Sequence, residues 1–163
     1  MFRISVIFGT RPEAIKLAPV VDALERCPEV SCHVCVTGQH REMLTQILEG
    51  FDIQPDVNLD IMVPEQTLAE LTSRAVASID SYLRSYRPHL VVVQGDTTSA
   101  LCAALSAFYN QIPVAHVEAG LRTSTIREPW PEEANRRLIS QIAEGRERAL
   151  RAGLVPMDDH PGC

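Results

Sequence analysis

An α/β fold built on a doubly wound, mostly parallel sheet is the architecture this sequence predicts, on three observations. Short apolar runs of strand length alternate with longer segments whose apolar residues recur at helical spacing. One run, Leu90-Val91-Val92-Val93, is apolar throughout, as a parallel strand covered on both faces must be. The first run, with Ile4, Val6, Ile7 and Phe8, passes directly into Gly9-Thr10-Arg11-Pro12, where Gly permits a tight turn and Pro suits the first turn of a helix.

The elements follow in order. Residues 3–8 read as a strand and 13–26 as a helix, with Ile15, Leu17, Ala18, Val21 and Leu24 on or near one face. Pro19 removes one backbone bond there and is expected to kink the helix. Residues 33–37 read as a second strand and 41–49 as a second helix, whereas 51–64, with two prolines and several aspartates, reads as irregular. Leu68, Leu71, Ala75, Ile79 and Leu83 mark a long helix over 67–85. A strand at 90–93, an Ala-rich helix at 98–109, a strand at 114–117 and a helix over 133–143 complete the alternation. In such sheets ligands bind outside the carboxyl ends of the strands.

The 163 residues suffice for one domain with a real core, and 45% apolar with 22% charged residues fits a soluble globular chain. A net charge of −6 argues against a general nucleic-acid surface, and no apolar run reaches membrane-spanning length. The N-terminus lacks the pattern of a signal peptide. Cys32 and Cys35 have CxxC spacing, but in an alternating strand their side chains point to opposite faces, so they read as ordinary thiols. Reduced cysteines without an export signal make the cytoplasm the expected location.

Polar and charged residues collect at the strand ends. Gly9, Thr10 and Arg11 follow the first strand, and Lys16, the sole lysine of the chain, lies one turn on. A helix N-terminus there offers free N–H groups and a positive dipole end to a phosphate or diphosphate. Asp96 suits either an N-cap of the 98–109 helix or a site carboxylate. Glu118 suits a turn or a site, and Glu132 and Glu133 suit the first turn of a helix equally well. His116 reads as a core histidine, His40 as a loop residue fit for binding. Three acids and two cations at strand ends suit a site that moves a substrate proton while holding an anionic leaving group.

Taken as whole strings, FGTRPEAIK (8–16), GQHREML (38–44), GDTT (95–98), HVEAGLRT (116–123) and PWPEEANR (129–136) resemble, in order and spacing, the non-hydrolysing UDP-N-acetylglucosamine 2-epimerases of bacteria. The resemblance covers residues 1–143 and implies the N-terminal, Rossmann-like domain of a two-domain architecture shared with nucleotide-sugar glycosyltransferases. It implies interconversion of UDP-GlcNAc and UDP-ManNAc by elimination and re-addition of UDP, without metal or nicotinamide. By motif match Asp96, Glu118 and Glu132 take the catalytic carboxylate positions, with acid and base unassigned. Gly9, Thr10, Arg11 and Lys16 take substrate-binding positions near the diphosphate. Gln39, His40 and Gln66 match a segment resembling the allosteric UDP-GlcNAc contacts of bacterial members, and homodimers are the family's usual state. A non-catalytic nucleotide-sugar module, a hydrolysing epimerase and a related glycosyltransferase are the competing readings. The resemblance fades after Ala143, so residues 144–163 are read as a divergent tail from a frameshift or premature stop. The chain is then expected to be an N-terminal half that is weak or inactive alone and prone to association through uncovered apolar surface.

Overall fold

Strand β1 (Phe2–Phe8) is the spine of the molecule, because its residues from Ile4 to Phe8 are buried on both faces. The computed structural model describes residues 1–38, 41–118 and 123–143, and of residues 41–43 the backbone alone. Parallel neighbours flank β1: β2 (Val30–Val36) on one side, β4 (Leu90–Gln94) on the other. Strands β3 (Val57–Asn58) and β5 (Val114–Val117) extend the sheet, giving the order β3-β2-β1-β4-β5, all parallel. The α/β reading therefore holds.

Helices cover both faces, as parallel crossovers require. Helices α1 (Arg11–Glu25) and α2 (Arg41–Gly50) close one face, where Ala14, Leu17, Val21, Leu44 and Leu48 pack on Ile4, Val6, Phe8 and Val34. Helices α3 (Leu68–Tyr86), α4 (Thr98–Tyr109) and α5 (Glu132–Ile142) close the other, over Ile7, Cys35, Val91 and Val93. Cys35 thus faces the α3 layer and Cys32 the α1 layer, on opposite faces as the strand period requires.

Four expectations need correction. Helix α1 starts at Arg11 and runs unbroken through Pro19, which lies on the exposed side. Ile15 is 41% exposed; Glu13 and Ala14 take the buried stripe instead. Strand β2 begins at Val30, in register with Phe2, so pairing with β1 adds Val30, Ser31 and Cys32 ahead of the expected start. The irregular stretch after α2 contains β3, two residues held in the sheet by Val36 and Val34 carbonyls. Residues 144–163 lie outside the described residues. Among the described residues no helix is long and apolar enough to cross a membrane.

Candidate active site

The sheet order reverses between β1 and β4: the chain leaves β1 toward β2 and leaves β4 toward β5. The carboxyl ends of these two strands therefore open a crevice, the usual ligand position in doubly wound sheets. The β1–α1 turn, the β4–α4 turn and the residue following β5 line it, together with the first turns of α3 and α5.

In the first turn Pro12 presets the start of α1. Gly9 is not among the positive-φ glycines, which are Gly38 and Gly95 in the described residues. The N–H groups of Gly9 and Thr10 are not free for a phosphate either. Both donate to Glu13 Oε2, at 3.0 and 2.7 Å, and Thr97 Oγ1 donates to Glu13 Oε1 at 2.6 Å. Glu13 is buried, and burial pushes its carboxyl above the ordinary range against the pull of these hydrogen bonds. It joins the two turns that straddle the crevice.

In the second turn Gly95 takes φ +71°, which favours glycine. Thr97, not Asp96, caps α4: its hydroxyl accepts from the Ala100 N–H at 3.0 Å. Asp96 is thereby left to face Arg136, whose Nη2 donates to its Oδ2. Arg136 Nη1 also donates to Glu133 Oε2 at 2.8 Å, and Arg137 Nε to Glu133 Oε1 at 2.7 Å. Glu133 is fully buried and its carboxyl is held below the ordinary range, chiefly by the Arg137 hydrogen bond. Asn135 Nδ2 donates to the Asp96 carbonyl at 2.9 Å.

Glu118 follows β5 in a left-handed conformation, φ +59°, uncommon for a residue with a Cβ and frequent at functional positions. Lys16 Nζ and Gln94 Nε2 both donate to its Oε2. The pair is half-exposed, so it adds little to stability and mainly fixes geometry. His116 Nε2 donates to the Gly95 carbonyl at 2.6 Å, which sets its proton on Nε2 and ties β5 to the β4–α4 turn.

Two adjoining cavities result. One of about 180 Å³ is walled by Glu13, Lys16, Gln94, Asp96, Glu118 and Arg136. The other, about 370 Å³, is walled by Thr10, Leu68, Leu71, Asp96, Glu132 and Asn135. Thr10, Pro12, Asp96 and Thr97 line both. Of the residues singled out from sequence, Thr10, Lys16, Asp96, Glu118 and Glu132 meet here, while the Gly9 N–H serves Glu13 behind the wall. Arg11 is exposed at the start of α1 and lines neither cavity. Gln66 bonds Met62 Sδ and Arg74 and also lines neither. Gln39 and His40 lie outside the described residues. Glu13, Gln94 and Arg136 were not picked out from sequence. Thr10-x-x-Glu13 does carry the capping-box spacing, and Glu133 and Arg136 sit at i, i+3.

The profile of the UDP-N-acetylglucosamine 2-epimerase family matches residues 22–146. The chain belongs to this family. A probable UDP-N-acetylglucosamine 2-epimerase of Ralstonia nicotianae is 53% identical over 143 residues, which are 88% of this chain and 38% of that protein. The chain thus spans well under half the length of the curated epimerases it matches. The crystal structure of the Neisseria meningitidis 2-epimerase bound to UDP-GlcNAc superposes with a TM-score of 0.85 at 44% identity, over 95% of this chain and 44% of that one. MurG of Acinetobacter baumannii superposes with a TM-score of 0.64 at 16% identity, over 88% of this chain and 40% of that one, a likeness of fold alone.

Proposed function

We propose that this crevice binds UDP-GlcNAc and serves its epimerisation at sugar carbon 2 through elimination and re-addition of UDP. The observation that carries the reading is the meeting of Lys16, Glu118 and Asp96 on one cavity at the point where the sheet order reverses, with Glu132 on the adjoining one. The epimerase structure that binds UDP-GlcNAc shares this fold at 44% identity.

In the proposed reaction a carboxylate removes the proton from carbon 2, a double bond forms between carbons 1 and 2, and the bond from carbon 1 to the UDP oxygen breaks. UDP leaves with the electron pair; re-addition after protonation on the opposite face gives the epimer. Carboxylates on two walls allow a proton to leave one face and return on the other. Lys16, already aimed at the crevice by Glu118, is placed to meet the charge on the departing diphosphate, and Arg11 lies one turn before it. Homodimers, which the family resemblance implies, and the cytoplasmic setting expected from the cysteines belong to the same proposal.

The test is incubation of the chain with UDP-GlcNAc in heavy water. The expected result is weak binding with little or no turnover by this N-terminal half alone, any deuterium entering at carbon 2, and weaker binding still for Lys16→Met. Absence of both binding and exchange in the unsubstituted chain would overturn the reading.

A further inference from the structure

We propose that Arg136 is a positioning residue for Asp96: its guanidinium ties the β4–α4 turn to the first turn of α5 and aims the Asp96 carboxylate into the cavity shared with Lys16 and Glu118. The inference rests on the reading of that cavity as the place of the carbon 2 chemistry.

Four observations lead there. Thr97 already caps α4, so helix capping does not explain an acid at position 96. Helix α5 grips Asp96 at two places, the side chain through Arg136 and the main-chain carbonyl through Asn135. Such a grip fixes both the position of the residue and the direction of its carboxylate. The Arg136 side chain is only 7% exposed and is braced from behind by Glu133, which is itself fully buried and held again by Arg137. Finally, Arg136 Nε is buried without a hydrogen-bond partner.

Burying Glu133 against Arg136, with Asp96 half-buried at the other edge of the guanidinium, is a poor way to gain stability, since apolar residues of similar volume do as well or better. An unpartnered buried Nε adds to the cost. The arrangement is therefore better explained by the placement it enforces. An arginine suits this task because its planar fork contacts two carboxylates at fixed angles, whereas a lysine ammonium supplies one rotatable point charge. Glu133 fixes one edge of the fork, and the other edge then dictates where Asp96 points.

The experiment uses the intact chain and side-chain NMR. Arg136 is expected to give resolved Nη signals from slow rotation, lost in Asp96→Ala and broadened in Glu133→Gln. Unchanged Arg136 signals in Asp96→Ala would overturn the clamp. Titration with UDP-GlcNAc is then expected to shift the amides of residues 95–97 and the Lys16 ammonium. In Arg136→Met the Lys16 response persists and the 95–97 response disappears, with partial return in Arg136→Lys. An undiminished 95–97 response in the Met variant would overturn the positioning role. If Arg136→Met does not fold, Glu133→Gln carries the same comparison, with a reduced 95–97 response expected and an unchanged one counting against the role. A wild-type chain silent to UDP-GlcNAc sinks the functional reading instead, and the Arg136 signals still decide the clamp.

Discussion

Glu13 sets burial against bonding within one side chain. Three donors favour its charge, and the loss of water around it disfavours that charge more. Its folded pKa lies above the ordinary value of 4.5, so the folded state holds the proton more tightly than the unfolded chain. The resulting contribution to stability is fully present below the unfolded value and is lost as pH rises through the folded one. Glu13→Gln keeps an acceptor for the Gly9 and Thr10 N–H groups and has no such pH dependence. Urea titrations from about pH 4.5 upward should therefore show the wild-type chain losing ground steadily to Glu13→Gln. Glu13→Ala strands two buried N–H groups and should cost about 2 kcal/mol at neutral pH. A flat difference between wild type and the Gln variant across that range would mean that Glu13 is not held as described. This residue also shows why part of the site was hidden in the sequence. Its letter is visible, but its burial depends on α1 turning its N-terminal stripe inward, with Ile15 left outside.

At the scale of elements, legibility followed the strength of local pattern. Helix α3, with its apolar spacing and a Thr67–Glu70 capping box, was placed within a residue, and α4 and β5 were placed without error. Strand β3 was invisible because two residues carry no period, and the first three residues of β2, Val30 to Cys32, were missed because they take their strand geometry from pairing with β1. Helix α5 was legible as a helix opened by acids, but not as the clamp on Asp96, since the partner lies 40 residues away along the chain. Its acid Glu133 titrates in the opposite sense to Glu13. The Arg137 hydrogen bond chiefly holds it below 4.5, so its contribution is present above the unfolded value and lost as pH falls through the folded one. Protection of the α5 amides, taken relative to intrinsic exchange at each pH, should fall on acidification below about 4.5, and Glu133→Gln should flatten that dependence while weakening the helix at neutral pH. The same acid dependence of protection in both proteins would contradict the ion-pair anchor.

The whole molecule reads as two helical layers closed over one sheet, and that much was legible because crossover rules allow few alternatives once strands and helices alternate. Cys35 and Cys102 test whether the α3–α4 layer opens as a unit. Cys35 sits on β2 beneath α3, Cys102 sits on α4 with its Sγ 3.8 Å from the Thr72 carbonyl, and neither has exposed surface. Burial pushes both thiols up to about 12, so the reactive thiolate is scarce at neutral pH even before access is considered. A small alkylating reagent should therefore leave both unmodified in native buffer, while mass mapping detects Cys27, which is half-buried, far sooner. With added urea, Cys35 and Cys102 should become reactive together, at rates that track the loss of helical signal, because either thiol is reached only when α3 and α4 leave the sheet. Labelling of Cys102 well before Cys35 would mean that α4 detaches alone. It would carry the Thr97 cap and its bond to Glu13 away from the crevice while the sheet stayed folded.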